Sequence, residues 1–276
     1  MPYRTILAAI RTKEEVDRVI GTAAAFGDDH RHIIATHCEP DAVIYASPDG
    51  IAAAEYYERV AEEARSRLAE IRAASDAAAG KVGGSYEWRG AISPAGDELG
   101  PALSSSLSAE LVIAGQGDPK NGVPSHSERL IFETGRPVIF VPFGAKPAQP
   151  PKNVLVAWNN TRESARAVFD AMPLLRKAKS VQVLLIDPPT TADQDAVHAG
   201  DEIAATLSRQ NVSVSVLAVP SGGTPVGTVL LNQATEFGAD MLVMGAYGHS
   251  RLRQLILGGA TRQMLGSMRL PVFMSR

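Results

Sequence analysis

The residues with the clearest chemical potential are glycines near the end of the chain. An apolar run of strand length, Met241–Met244, stops at Gly245, and Gly248 follows three positions later, before a segment with helical spacing. This order predicts a strand, a glycine loop and a helix. Because glycine has no Cβ, the backbone of such a loop can approach a ligand closely. The unpaired N–H groups at the start of the following helix then favour an anion.

A second group of small residues follows after nine intervening positions and comprises Gly258, Gly259, Ala260 and Thr261. This group could close the other side of a phosphate pocket, with the Thr261 hydroxyl as a donor. In the alternative interpretation, the glycines only make turns and close contacts between helix and sheet. The glycine pattern taken alone leaves both interpretations open.

Short apolar runs alternate along the chain with segments of helical periodicity. This alternation predicts an α/β fold with a mostly parallel sheet and right-handed crossovers. In the first half, a strand is predicted over His32–Thr36 and a long helix over Ile51–Ala79. In the second half, a strand is predicted over Val154–Trp158 and a single helix over Glu163–Arg176.

The chain also contains an internal repeat. The segment Gly144–Lys152, GAKPAQPPK, is rich in proline and is predicted to link two domains. After it the order of elements starts again, with RTILAAIRTKEE matching KNVLVAWNNTRE and AELVIAGQG matching ADMLVMGAY. A repeat of this length predicts two copies of one five-stranded domain, over residues 1–143 and 152–276, rather than one large sheet.

The spacing of the glycines is similar to that of a known family. Glycine, two residues, glycine, nine residues, glycine, as in Gly245, Gly248 and Gly258, resembles the nucleotide loop of the universal stress protein family. In that family a serine or threonine usually follows the third glycine, whereas this chain has Gly259 there and Thr261 two positions later. The matching element order extends the resemblance over nearly the whole chain, in the tandem arrangement known for the family. It implies two repeated five-stranded parallel-sheet domains that are Rossmann-like and akin to the adenine nucleotide α-hydrolase group.

The resemblance also implies adenine nucleotide binding in a stress response, through the C-terminal domain. The expected ligand is ATP, with AMP, ADP and a Mg²⁺ ion as further candidates. Ligands of open parallel sheets bind beyond the carboxyl ends of the strands, where the strand order reverses. Carried over residue by residue, the adenosine side comprises Ala157, Asn159 and Ile186, and the phosphate side comprises Gly245, Gly248, Gly258, Gly259, Ala260 and Thr261, with His249 and Arg251 just inside the loop.

The end of the first strand of the second half departs from the family pattern. Nucleotide-binding members usually carry an aspartate where this chain has Asn159, so an acceptor remains but the charge is absent. The preceding Trp158 either stacks on a base or fills the pocket. A second hypothesis is therefore a nucleotide-independent stress protein that acts through protein contacts. A third is slow ATP hydrolysis on the same fold, although no general base or metal carboxylate stands beside the glycine loop in the sequence.

The first half lacks the complete loop. Its corresponding segment, GQGDPKNGVPSHSERL, keeps Gly115 but loses the nine-residue spacing, and Arg11 occupies the place of the aspartate. We interpret this half as structural or dimer-forming, with a degenerate nucleotide loop. The last strands of the two halves, Pro137–Val141 and Pro271–Met274, are expected to pair with each other, since domains of the family associate in this way. A homodimer of tandem chains is a further hypothesis.

Composition excludes several classes of partner. The 27 Lys and Arg residues nearly balance 30 Asp and Glu, for a formal net charge of −3, and the basic residues are scattered, which argues against nucleic acid. Cys38 is the only cysteine, which excludes an intrachain disulfide and fits a reducing cytoplasm. No apolar run approaches the ~20 residues of a membrane helix, and the first residues lack a signal-peptide pattern. A cytoplasmic protein without membrane contact is expected.

A metal site is considered and not favoured. His30, His32, His37 and Cys38 could be drawn as a cluster, because alternate residues of a strand share a face. No strand places all four together, and the second half has no counterpart, so no metal ligand is predicted. A nucleophile-elbow sequence is also absent, which argues against a Ser/His/Asp hydrolase.

Overall fold

The structure is a computed structural model that describes residues 3–40, 50–93, 97–122, 125–188, 195–247 and 259–276. The first half contains β1 (Tyr3–Ala9), α1 (Val16–Phe26), β2 (Gly27–Pro40), α2 (Gly50–Val82), β3 (Ser85–Ser93), α3 (Gly100–Ser106), β4 (Leu111–Gly115), α4 (Ser125–Glu133) and β5 (Val138–Val141). The second half contains β6 (Asn153–Ala157), α5 (Arg162–Asp170), α6 (Met172–Leu175), β7 (Ser180–Ile186), α7 (Asp195–Arg209), β8 (Val214–Val219), α8 (Val226–Phe237), β9 (Met241–Gly245), α9 (Ala260–Ser267) and β10 (Val272–Ser275).

All of these strands form one sheet of ten, in the order β3-β2-β1-β4-β5-β10-β9-β6-β7-β8. The strands are parallel within each half, which confirms the predicted α/β fold with five strands per copy. The halves join through β5 and β10, which run antiparallel with Phe140 opposite Val272. The predicted pairing of the last strands is confirmed. Because this pairing merges the two copies into one continuous sheet, the expectation that the repeat excludes one large sheet is wrong.

Both faces of this sheet are covered by helices, as fully apolar parallel strands require. The core on one face includes Val19 of α1 and Val168 of α5, and the core on the other face includes Leu230 of α8 and Met264 of α9. The strands β4 and β5 are buried along their whole length. Burial on both faces fixes the register of neighbouring strands, and therefore fixes which residues stand at their carboxyl ends.

Side chains at the junction connect the two halves. The Tyr3 hydroxyl donates to the Asp170 carbonyl at 2.6 Å, and the Ser275 hydroxyl donates to the Asp170 carboxylate at 2.6 Å. The Gln116 amide nitrogen, from the first half, donates to the Leu265 carbonyl of α9 at 2.9 Å. The proline-rich connection packs on α1, because the Ala148 backbone N–H donates to the Thr22 hydroxyl at 2.9 Å.

Two predicted elements have different bounds in the structure. The single helix predicted over Glu163–Arg176 is wrong, because α5 ends at Asp170 and α6 begins at Met172. Pro173 lies in the first turn of α6, where its missing N–H and its ring prevent the preceding helix from continuing. The strand predicted over His32–Thr36 is longer and reaches Pro40, because β2 pairs with β3 as far as Ser93. Among the described residues, no helix has both the length and the apolar character needed to cross a membrane.

Candidate functional site

The candidate site of the second half lies at the carboxyl ends of three neighbouring strands. Strand β6 lies between β7 and β9, with Ala157 in register with Leu184 on one side and Met244 on the other. Ile186 ends β7 and Gly245 ends β9. The sheet thus brings together the strand-end residues Ala157, Ile186 and Gly245, which are far apart in sequence.

The Trp158 side chain lies on the opposite side of the sheet from Ala157. Ala157 and Ile186 are partly buried and pack against the core that contains Met244 and α8. Trp158 is 7% exposed and belongs to the core on the other face, with residues of α5 and α7. The indole therefore packs in the core on the side of α5 and α7. It does not occupy the face of the sheet that carries Ala157 and Ile186.

Gly245 permits a close approach between the sheet and a helix. A Cβ built at this position would lie 2.5 Å from the Glu163 carbonyl carbon and 2.5 Å from the Ser164 backbone nitrogen, in the first turn of α5. Gly115, which ends β4 in the first half, is crowded in the same way by the side chains of Glu15 and Arg18. The glycine at this position of each repeat therefore makes room for the helix that follows the first strand.

Asn159 takes part in the start of α5. Its side-chain oxygen accepts a hydrogen bond from the Thr161 hydroxyl at 2.8 Å. Thr161 and Ser164 form a capping box, with the Ser164 N–H donating to the Thr161 hydroxyl at 3.3 Å and the Thr161 N–H donating to the Ser164 hydroxyl at 3.1 Å. The amide at the place of the family aspartate is thus fixed in position by the helix cap.

The two flanks of the glycine segment meet each other. The Tyr247 backbone N–H donates to the Thr261 hydroxyl at 3.3 Å, and Thr261 is 5% exposed. Gly259 is the N-cap of α9, and its carbonyl accepts from the N–H groups of Arg262 and Gln263. Gly259, Ala260 and Thr261 therefore stand at a helix start directly beside the chain that leaves β9. The predicted site residues Gly248, His249, Arg251 and Gly258 lie outside the described residues.

A helix of the first half contacts this loop, which sequence reasoning missed. The Tyr247 hydroxyl donates to the Glu128 carboxylate of α4 at 2.9 Å, and the rings of Tyr247 and Phe132 have centroids 4.5 Å apart. Tyr247 adopts a φ of 56°, a left-handed conformation that is uncommon for a bulky residue. Only the β5–β10 pairing brings α4 to this loop, so no local sequence signal could have indicated the contact.

The first half has its own crevice at the corresponding strand ends. Thr36, Ala9 and Ala114 stand side by side on β2, β1 and β4. Together with α3 and α4 they line a cavity of about 20 Å³. Its other walls include Arg11, His37, Glu98 and His126. A single water molecule requires roughly 10–15 Å³ on this measure. The cavity is therefore too small for a nucleoside.

Two of the histidines that were considered as metal ligands have protein partners. The ring nitrogens of His37 contact the Ile10 carbonyl at 3.0 Å and the Glu39 carboxylate at 2.9 Å. The His32 ring contacts the Ser85 hydroxyl at 2.8 Å. Among the residues that the structure describes, no group of three or more His, Cys, Asp or Glu side chains is placed to hold a metal ion.

His126 should make the folded chain sensitive to acid. Burial, and secondly the nearby Arg11 charge, lower the pKa of His126 from 6.5 to about 3. The unfolded imidazole binds a proton at its ordinary pKa, so the free energy of unfolding decreases as the pH falls from 6.5 towards 3. His126→Asn should reduce this slope by at most roughly 1.4 kcal/mol per pH unit. Urea unfolding of the original chain and of His126→Asn between about pH 7 and 4 measures this slope.

His30→Asn, at an exposed position, is the control for that experiment and should keep the original slope. Equal slopes for the original chain and His126→Asn would show that His126 is protonated in the folded state, contrary to the expected pKa.

Comparison with known proteins agrees with this fold. Residues 151–276 match the model of the universal stress protein family. None of the curated proteins compared with the chain matches it.

Solved structures match the chain almost end to end. A universal stress protein from Archaeoglobus fulgidus has a TM-score of 0.67 at 17% identity, over 99% of this chain and 96% of that one. A universal stress protein described as putative, from Pseudomonas aeruginosa, has a TM-score of 0.55 at 15% identity, over 99% and 93%. The cytoplasmic domain of a prokaryotic cation chloride cotransporter has a TM-score of 0.52 at 10% identity, over 99% and 95%. Identities this low establish a common fold and nothing about the ligand.

Proposed function

Because its residues 151–276 make the chain a member of the universal stress protein family, we propose that its C-terminal half binds adenine nucleotide, with ATP as the principal ligand. AMP and ADP are the alternatives, and a Mg²⁺ ion would accompany the phosphates. The observation that carries the proposal is the contact between the Tyr247 N–H and the Thr261 hydroxyl. It joins the two ends of the glycine segment, Tyr247 and Thr261, next to the end of β9.

The adenosine would lie against the ends of β6 and β7. Ala157 has a small side chain and is partly exposed, as is Ile186, and both belong to the face from which the Trp158 indole is absent. Asn159 is exposed. Its side-chain oxygen accepts from the Thr161 hydroxyl, and its amide N–H₂ group is a donor. A donor at this place suits a ribose oxygen or a ring nitrogen, whereas the family aspartate offers only acceptors.

The phosphates would lie at the start of α9. The first N–H groups of a helix have no partner within the helix, and the helix dipole favours an anion there. Ala260 and Thr261 are the first two residues of α9, after the N-cap Gly259. We assign Gly248, His249, Arg251 and Gly258 to the same phosphate side from the family spacing alone. A bound nucleotide would place its negatively charged phosphates next to the N–H groups at the start of this helix.

A second candidate function is supported by the contacts of the loop. Tyr247 leaves β9 and contacts Glu128 and Phe132 of the first half, and the Arg262 guanidinium lies 3.8 Å from the Glu128 carboxylate. A loop that is already engaged by protein groups suits a nucleotide-independent protein that acts through protein contacts. Slow ATP hydrolysis remains a third hypothesis, with no catalytic residue assigned.

We expect ATP to raise the melting temperature of the purified full-length chain. At a concentration about 100-fold above Kd, a ligand that binds only the folded state stabilises it by ~2.7 kcal/mol. Thr261→Val should reduce or abolish the shift, because valine keeps the shape of threonine but removes the hydroxyl that closes the loop. Thr224→Val, at an exposed position before α8, is the matched control and should keep the shift. The absence of any shift with ATP, ADP and AMP would favour the nucleotide-independent alternative.

A further inference from the structure

The cavity of the first half is built differently from the candidate site of the second. The three positions that stand side by side across the strands are Thr36, Ala9 and Ala114 in the first half. The corresponding positions in the second half are Leu184, Ala157 and Met244. Thr36 and Ala114 therefore stand where the second half has the larger apolar Leu184 and Met244, and this difference leaves space between the sheet, α3 and α4 in the first half.

Polar groups without partners face this space. The Thr36 side chain is 1% exposed, and its hydroxyl has no hydrogen-bond partner among the described residues. The Arg11 Nε is buried and likewise has no partner within the described part of the chain. A buried polar group that lacks a hydrogen bond destabilises the folded state. Two such groups on the wall of one cavity indicate that a polar species occupies it.

The charges around the cavity are unbalanced. The Glu15 carboxylate is 2% exposed and lies 3.7 Å from the Arg11 guanidinium and 3.2 Å from the Arg18 guanidinium, so two cations share one buried anion. The His37 ring contacts the Ile10 carbonyl and the Glu39 carboxylate. Glu98 is the carboxylate among the described lining residues, and it is exposed at the mouth. The Arg11 and Arg18 guanidinium groups therefore outnumber the one buried carboxylate that they share.

We propose that this cavity binds a small inorganic oxyanion of the phosphate or sulfate class, held by the Arg11 guanidinium and the Thr36 hydroxyl. Neutral water would satisfy the hydroxyl, but it would not balance the two guanidinium groups that share Glu15. A metal cation is opposed by the same charges. The 20 Å³ of space excludes a nucleoside. The half without a nucleotide loop thus contains a ligand site of different chemistry.

Inorganic phosphate and sulfate are the probes that test this proposal. The full-length chain is purified in a buffer free of both anions, and its melting temperature and heat of binding are measured as either anion is added. At about 100-fold excess over Kd, the melting temperature should rise by roughly 5 °C. No shift and no binding heat with either anion would overturn the proposal and would mean that the cavity contains only water.

Variants locate the site. Thr36→Val keeps the shape of the buried side chain but removes its hydroxyl, and Arg11→Gln removes the guanidinium charge. Each variant should weaken anion binding by roughly tenfold or more. Arg162→Gln is the charge control, because the Arg162 side chain is 96% exposed and lies in the second half. Retained phosphate binding in both Thr36→Val and Arg11→Gln, with loss in Thr261→Val, would place the anion at the glycine loop and overturn the proposal.

The same variants separate this inference from the proposed nucleotide site. Thr36→Val and Arg11→Gln should leave the response to ATP unchanged, so failure of either site can be recognised independently of the other. Crystals grown with selenate would show the position of the bound anion directly. An anomalous peak between Arg11 and Thr36 is expected, and selenate density confined to other places would contradict the assignment.

Discussion

Glu15→Gln should lower the free energy of unfolding by about 3–5 kcal/mol, the largest loss that we expect from a single substitution in this chain. The Glu15 carboxylate is 2% exposed and accepts from the Arg11 backbone N–H and from the Arg18 guanidinium. Burial lowers the pKa of Arg18, and the Glu15 charge opposes that effect. Removing the carboxylate charge leaves the buried Arg18 guanidinium beside two neutral acceptors, the new amide oxygen and the Gln116 carbonyl.

The neighbouring residue supplies the control for this prediction. Glu14→Gln makes the same chemical change at an exposed position, where the effect should stay within about 0.5 kcal/mol. Urea unfolding midpoints of the original chain and both variants compare the two positions. Similar midpoints for Glu15→Gln and Glu14→Gln would mean that Arg18 is not held by Glu15 in the folded protein.

Gly245→Ala should destabilise the chain by about 1–3 kcal/mol, although it adds a single methyl group. The added Cβ would lie 2.5 Å from two backbone atoms of the first turn of α5, and backbone cannot rotate away as a side chain can. The sheet and α5 would have to separate, and this movement would also displace Asn159 and the helix cap. We expect the response to ATP to weaken in the same variant, because the loop begins at this residue.

Gly80→Ala is the matched substitution with the opposite expected sign. Gly80 lies inside α2, and a Cβ built there would meet no atom within 4 Å. Alanine favours the helix over glycine by up to ~1 kcal/mol, so this variant should be neutral or more stable. Unfolding midpoints of the two alanine variants test the argument together. A Gly245→Ala variant as stable as Gly80→Ala would show that α5 does not pack on the end of β9.

Much of the fold was predictable because it depends on local patterns. Alternating apolar runs and helical segments predicted the order of strands and helices, and the repeated order predicted five parallel strands in each half. The bounds of α8, Val226–Phe237, also follow local signals, because proline precedes the helix and Gly238 ends it in a left-handed conformation. The helix predicted over Glu163–Arg176 was wrong, since apolar periodicity continues across Pro173 although proline has no N–H to donate to the preceding turn.

The candidate site was predictable only in part. Family spacing pointed to Ala157, Ile186, Gly245 and Thr261, and the structure brings their strand ends and helix start together. It did not point to Tyr247, whose partners on α4 lie more than a hundred positions earlier in the chain. Family spacing also did not indicate Arg11 and Thr36 as ligand-binding residues, because the first half, which lacks the complete nucleotide loop, was interpreted as structural.

The sequence by itself determined the elements, their repetition and the glycines, because these depend on periodicity and on the absence of a side chain at single positions. The pairing of β5 with β10 was expected from the family resemblance, whereas tertiary structure alone decided that Trp158 packs away from Ala157. It also decided that two arginines share one buried glutamate. Contacts of this kind depend on distances between residues remote in sequence, which become defined only when burial fixes the register of the strands.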